Sequence, residues 1–398
     1  MNSVNELRPV STRVGLYFGV MQLFFNLSWV IYVIFLPQLA AQAGVSKGVV
    51  PWILVLDQVI FALCDWAAGL ASDRVANILG RLGKLVAAVT ALSALAFLLL
   101  PLVTRIGAPV FLVLTVIWAI TSSALRAPPL TLLGRYTSPD RQPWVGSLFL
   151  LGIGVSSALA PFLAGSITAY DPRIMFAASA VSVVVVTWSI VWAEKKLAHS
   201  APPAKPTGAK IQSATFVLFL AAILLLAIAY QVHFFINTEP QFRRFARPTE
   251  LPGLLSLFWI GFDLLMLPAS MLTKRFGGTA VMAGGALVAA ASAWAAKQAT
   301  DVLTLSVAQF VCGGAWAAVA MSAVAAAFRL GHTGSEGKAI GAMYSVLAVA
   351  AVARIAVVAG HIQHDSAIAL ALPWLPAIAW LAAGFMLLPA ARRPARSA

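Results

Sequence analysis

Six ionisable side chains fall inside long apolar runs of this sequence: Asp57, Asp65, Arg126, His233, Asp263 and Arg354. In lipid such groups are costly unless paired or hydrated, so they mark solute or ion pathways. At the helical rise, Asp65 lies about seven residues and Arg126 about nine from the same-side ends of their runs, which puts them at similar depth. They are expected to pair. Arg354 is level with both Asp263 and Asp57, so it is expected to bridge one of them, within one half of the chain or across the halves. Each bridge is either a static structural contact or a coupling device, because a carboxylate that loses its partner changes its proton affinity. His233 is the one intramembrane group whose ordinary titration range lies near neutral pH. It reads either as a packed, hydrogen-bonded ring or as a functional one, with Tyr230, Phe234 and Asn237 recurring on its face and Asn237 four residues on.

Polar and aromatic residues share helix faces as well. Gln22, Asn26 and Trp29 do so in the first run, and Trp118, Ser122 and Arg126 in the fourth. Ser256, Trp259 and Asp263 follow in the eighth, and Gln309, Cys312 and Trp316 in the tenth. These stripes are either cavity walls or helix–helix contacts. An amide and aromatic lining suits sugar-like or amphiphilic solutes.

The elements that must position these groups are helices in a membrane. The chain has 398 residues, 61% hydrophobic and 10% charged, with a mean hydropathy of +0.90. A soluble domain carries about 25% charged residues, so a soluble fold is excluded. A span needs about 20 apolar residues, and the runs give twelve: 14–39, 51–71, 85–104, 110–134, 145–170, 174–193, 214–236, 254–272, 281–296, 302–328, 340–359 and 367–390. The Pro- and Lys-rich stretch 194–213 reads as a linker between an N-terminal six-helix bundle (1–193) and a C-terminal one (214–398). No strand pattern competes, so the fold expected is all-α.

With an inside N-terminus, eighteen of the 27 basic residues fall on the inner side. Seven fall outside (Lys47, Arg105, Arg173, Arg243, Arg244, Arg247 and Lys297), and Arg126 and Arg354 lie within spans. That asymmetry places both termini in the cytoplasm and accounts for the net charge of +14 without a nucleic-acid partner. Cys64 and Cys312 sit in apolar runs, which excludes a disulfide framework or zinc site. His361, His364 and Asp365 lack a further ligand nearby, so no metal and no cofactor is expected. The loop from Asn237 to Gly253, with Arg243, Arg244 and Arg247, reads as a solvated loop or as a gate for anionic solutes.

Around Asp65 the sequence runs Asp65-Trp-Ala-Ala-Gly69-Leu-Ala-Ser-Asp73-Arg74, then Gly80-Arg81. Gly69–Arg74 recurs, weakened, as Ser270–Arg275, 201 residues later. Arg135-Tyr-Thr-Ser-Pro-Asp140 has a looser echo in Arg329–Glu336. Gly69, Asp73, Arg74, Gly80 and Arg81 resemble the signature loop between helices two and three of the major facilitator superfamily. That resemblance implies twelve helices in two pseudo-symmetric bundles, alternating access around a midplane site, and Asp73 as a conformational latch. Within the superfamily the pattern resembles the cation-coupled glycoside–pentoside–hexuronide symporters, through Asp65, Gly69, Asp73, Gly80-Arg81, Pro129 and Asp140. It departs from them at Phe61, where they carry a second acid. Gly152–Gly165 resembles a degraded antiporter motif of drug exporters, with Ala160-Pro161 in place of Gly-Pro.

No Gly-x4-Gly-Lys loop is present, so the energy source expected is an ion gradient. No nucleophile–base cluster points to an enzyme. The expectation is a monomeric multi-pass transporter of the bacterial inner membrane, carrying a small polar organic solute, sugar-like or carboxylate, in symport with protons rather than sodium. Its alternative is proton-antiport export of drugs or amphiphilic compounds. The coupling and substrate candidates are Asp65, Arg126, Asp57, Asp263, His233, Arg354, Asn26, Trp29, Asn237 and Gln309.

Overall fold

The computed structural model describes residues 12–75, 81–200, 212–331 and 334–391, and their regular structure is helical throughout. The helices are α1 (Thr12–Gln42), α2 (Val50–Val75), α3 (Arg81–Val103), α4 (Ala108–Ser122), α5 (Ala127–Tyr136), α6 (Gln142–Ser166), α7 (Pro172–Trp188) and α8 (Ile190–Ser200). After residue 211 follow α9 (Ser213–Val232), α10 (Thr238–Phe242), α11 (Leu251–Phe276), α12 (Gly278–Gln298), α13 (Val302–Gly331), α14 (Glu336–Ala359), α15 (Ser366–Ala371) and α16 (Leu375–Ala391). Large apolar side chains such as Leu63, Val185, Leu264 and Ile378 stand exposed along the outer walls. That is the surface a helix turns to lipid, since its backbone groups are already satisfied internally.

Eleven helical stretches among the described residues are long and apolar enough to cross a membrane. The expected twelfth span, 367–390, differs. It is broken into α15, a turn, and an apolar stretch Leu375–Pro389 that is shorter than the other eleven. Pro373 and Pro376 explain the break, because each lacks an N–H and its ring crowds the carbonyl four residues back. Within the stretch expected as linker, α8 carries the chain as helix to Ser200. Glu194 is buried there and accepts the Gly83 N–H at 2.9 Å in the first turn of α3, where helix donors have no internal partner.

Two contacts between the helices before residue 201 and those after 211 are the most extensive. One is α2 against α14, the other α6 against α11, and α5 and α6 also touch α14 and α13. At the first, Gly69 meets Gly337 and Gly341 so closely that a Cβ on Gly69 would overlap the Gly337 carbonyl. Small residues of this kind let helix backbones approach in lipid. Ser345 then bridges the same pair by donating to the Ala62 carbonyl at 2.6 Å. At the second contact Ser256 of α11 lies 2.6 Å from the Ala158 carbonyl of α6.

Candidate functional site

The fourth span is not one continuous helix. It ends as α4, passes through a 3₁₀ turn (Ser123–Leu125), and restarts as α5 with Pro128 and Pro129 in its first turn. Pro129 cannot donate to Leu125, which leaves that carbonyl without its helical partner. Gln22 of α1 supplies the missing donor, its Nε2 lying 2.7 Å from the Leu125 oxygen. Arg126 sits at the break with φ −97° and ψ −81°, so its side chain is aimed by a backbone that belongs to neither helix.

From that position Arg126 Nε approaches Asp65 Oδ2 of α2 to 3.0 Å. The two form an ion pair without the alignment of a hydrogen bond. Asp65 is fully buried, and the Arg126 side chain keeps 17% of its surface open. Its guanidinium lies over the rings of Phe61 (4.5 Å) and Tyr344 (5.5 Å). A desolvated cation gains from such rings. Arg126 stands on the wall of a cavity of about 180 Å³ that Gln22, Asn26, Trp29, Trp118 and Ser122 also line, and Asp65 is buried behind it. A second, mostly apolar cavity of about 210 Å³ lies on the far side, walled by Tyr230, Gln231, Trp259, Phe262 and Trp316. Arg126, Ile153 and Tyr344 border both. Arg126 therefore faces one chamber walled mainly by the N-terminal helices, with Gln22, Asn26 and Gln58 on it, and an aromatic one shared with the C-terminal helices.

The remaining candidates divide. Asn26 donates to the Gln22 carbonyl at 2.8 Å, and Trp29 stacks on Trp118 at 5.9 Å. Asp57 is buried and accepts the Tyr32 hydroxyl at 2.7 Å, so Tyr32 takes the place expected for Arg354. Arg354 bridges neither Asp57 nor Asp263. Its Nε donates to Gln231 Oε1 at 3.1 Å, and its guanidinium lies 4.3 Å over the Phe235 ring. Asp263 is turned to α6, where its carboxylate rests against the bare Cα of Gly154. Its Oδ1 is buried and has no hydrogen-bond partner among the described residues. The stripe of the eighth span thus splits, with Trp259 on the aromatic cavity and Ser256 and Asp263 on α6. Likewise Cys312 faces the Ala289 carbonyl of α12, whereas Trp316 stacks on Tyr230 at 4.5 Å.

His233 opens a π-helical turn, His233–Asn237, three residues before Pro240. A proline crowds the carbonyl four residues back, here Ile236, and a widened turn accommodates it. The turn separates His233 from Asn237, contrary to the shared face that an α-helix would give them. His233 Nε2 lies 3.0 Å from Gln309 Oε1, while Asn237 Nδ2 donates to the Leu372 carbonyl at 3.0 Å. Gln309 turns its amide nitrogen toward Gln241 Oε1 at 3.4 Å, so its carbonyl faces the ring and Nε2 is the protonated nitrogen. These two helix breaks set the positions of Arg126 and His233, and an unbroken helical count misses both, although Pro128-Pro129 and Pro240 signal them.

At the end of α2, Asp73 accepts the N–H groups of Gly337 (2.7 Å) and Lys338 (2.8 Å). A carboxylate on the first turn of α14 satisfies donors that have no helical partner and suits the positive end of the helix dipole. Gly69 lies one turn back in the same crossing, Arg74 is exposed, and Arg81 opens α3. Gly80 falls outside the described residues. At the other end of the molecule, Arg243 pairs with Glu239 (2.6 Å) and Arg247 with Glu250 (3.1 Å) on the surface. The Arg247 N–H holds the Glu250 carboxyl below its usual range. Asp365 is spent on capping α15 through the Ala367 N–H at 3.0 Å.

Long apolar helices around paired buried charges and an internal cavity define a polytopic membrane protein of the transport type. The family model of the Major Facilitator Superfamily matches residues 18–353, and the chain belongs to that family. No curated protein matches the sequence. Among solved structures, it is similar to the human organic anion transporter MFSD10 (TETRAN), with a TM-score of 0.72, 15% identity, and 96% of this chain and 100% of that one covered. A bacterial homologue of the iron transporter ferroportin, in an outward-facing state, gives 0.75 at 12% identity over 96% and 100%. The proton:xylose symporter XylE gives 0.69 at 13% identity over 96% and 94%. At such identities the likeness is one of fold.

Proposed function

We propose that this chain is a secondary active transporter of the bacterial inner membrane that moves a small polar organic solute, sugar-like or carboxylate, in symport with protons. Its bundles, 1–193 and 214–398, rock about the cavities at Arg126, with both termini in the cytoplasm. The observation that carries this reading is the Asp65–Arg126 pair, 3.0 Å apart, in which Arg126 lines both cavities and Asp65 is buried against it. A solute carboxylate or hydroxyl that engages Arg126 competes with Asp65, and protonation of Asp65 releases Arg126 to the solute. Solute and proton occupancy are linked through one guanidinium. Asp73 on the first turn of α14 serves as the latch, because it ties the two bundles at their cytoplasmic end and must let go when they part.

Proteoliposomes with an imposed proton gradient test this, using a solute first found by thermal stabilisation of the purified protein against sugars and carboxylates. Uptake should follow the gradient, collapse with a protonophore, and be abolished by Asp65→Asn. Gradient-independent uptake in both proteins would refute the coupling. One observation favours a second reading, proton-antiport export of an amphiphile: Leu226, Trp259, Phe262, Trp316 and Leu347 make the inter-bundle cavity apolar and aromatic. Asp65→Asn that spares uptake but abolishes drug resistance in cells would select it.

A further inference from the structure

A third cavity, of about 470 Å³, opens at the end of the molecule remote from Asp73. The 24 residues of α14 separate the two ends, roughly 36 Å at the helical rise. Its wall comes from the π turn (Asn237), α10 (Gln241) and the loop after it (Arg244), the end of α12 (Lys297), and the segment around α15 (Gln363, His364). It shares no lining residue with the two cavities at Arg126.

Charge is unbalanced here. Lys297 Nζ sits 3.7 Å from the ring centroid of Trp374, and the Arg244 guanidinium 4.9 Å from that of Phe245. Neither cation has a carboxylate within 4.0 Å among the described residues. The neighbouring acids are engaged elsewhere, Glu239 on Arg243, Glu250 on Arg247 and Asp365 on the first turn of α15. Each cation lies against an aromatic ring, and neither has a hydrogen-bond partner among the described residues. Beside them stand the amides of Asn237, Gln241 and Gln363. Two cations with amides beside them and no acid on the wall make an anion receptor, and the volume lies within the range of small-molecule sites, about 300–1,000 Å³.

We infer that this cavity is a second binding site, distinct from the one at Arg126, and that it takes a soluble organic anion bearing more than one carboxylate. Its floor is tied to the core, since Gln241 holds Gln309 and Gln309 holds His233. An anionic lipid headgroup has the same charge chemistry, but it would come from the bilayer rather than from solution. The site stands independently of the proton-coupling reading, because binding is measured without transport.

The full-length protein in detergent is titrated with citrate, and with sorbitol as the neutral control. Tryptophan fluorescence and thermal melting are the readouts. Citrate should bind saturably and sorbitol should not. Lys297→Gln and Arg244→Gln should each weaken citrate about tenfold or more while leaving the ligand-free melting temperature in place, since each removes charged hydrogen bonds. Lys297→Arg should retain binding, and Trp374→Phe should lose the fluorescence change but keep the thermal one. Equal affinity in both glutamine variants would overturn the proposal, as would an equal response to sorbitol. So would stabilisation by phosphatidylglycerol nanodiscs over phosphatidylcholine ones with no response to citrate. Loss of proton-coupled uptake in Asp65→Asn would leave in place the citrate binding that Lys297→Gln and Arg244→Gln weaken.

Discussion

Gln22 Nε2 donates to the Leu125 carbonyl at 2.7 Å, the oxygen that Pro129 leaves without a helical donor. This one bond ties α1 to the break on which Arg126 is mounted. Gln22→Leu keeps the volume and removes the donor, so a buried carbonyl goes unsatisfied at a cost of about 1–3 kcal/mol. A lowered melting temperature is expected together with weaker solute binding, because Arg126 loses its fixed backbone. An unchanged melting temperature would show that the break holds without α1.

The Asp65–Arg126 pair predicts a non-additive double-mutant cycle. Removing either partner strands a buried charge, which costs about 3–5 kcal/mol, whereas removing both costs far less. Asp65→Asn and Arg126→Gln should therefore each lower thermal stability strongly, and the double variant should recover most of the loss. Gradient-driven uptake should stay absent in all three. Recovery of uptake with stability in the double variant would reduce the pair to a structural brace.

Much of this arrangement is legible in the sequence, and the reasons are physical. Apolar runs report helices because lipid allows few other backbones, and charges inside them are too costly to be incidental. Depth along a helix follows from counting, which brings Asp65 level with Arg126. Counting fails for Arg354 because depth says nothing of azimuth, and Gln231 and Phe235 lie nearer its face than either aspartate. The His233–Asn237 relation fails for another reason: a π turn shifts the register by which helix faces are read. The twelfth run starts as one helix later than its apolar composition suggests, at Leu375, because Pro373 and Pro376 break its first part. In each failure a proline or a rotation about the helix axis decided the matter.

Asp73 caps α14 through Gly337 and Lys338, and losing an N-terminal cap costs about 0.5–2 kcal/mol. Asp73→Ala should shift the balance between joined and parted bundles by a factor of about 2 to 30. Thiol labelling of Ser345→Cys, in a chain whose Cys64 and Cys312 are replaced by alanine, reads that balance, since Ser345 is packed against Ala62 of α2. Faster labelling in Asp73→Ala is the expected result. Equal rates would mean that the Gly69–Gly337 crossing alone holds the ends together.

Asp263 and Gly154 are matched in size, since a Cβ on Gly154 would fall within the Asp263 carboxylate and press on Phe262. Gly154→Ala must push α6 from α11, and overpacking of this kind costs about 1–3 kcal/mol. Asp263→Ala vacates the same space, so the double variant should melt above Gly154→Ala alone, a coupling of the sign expected for residues in contact. Asp263→Asn keeps the bulk and should not rescue. If it rescues as well as alanine, the strain comes from the charge against α6 rather than from volume, and Asp263 is then held at this interface by electrostatics.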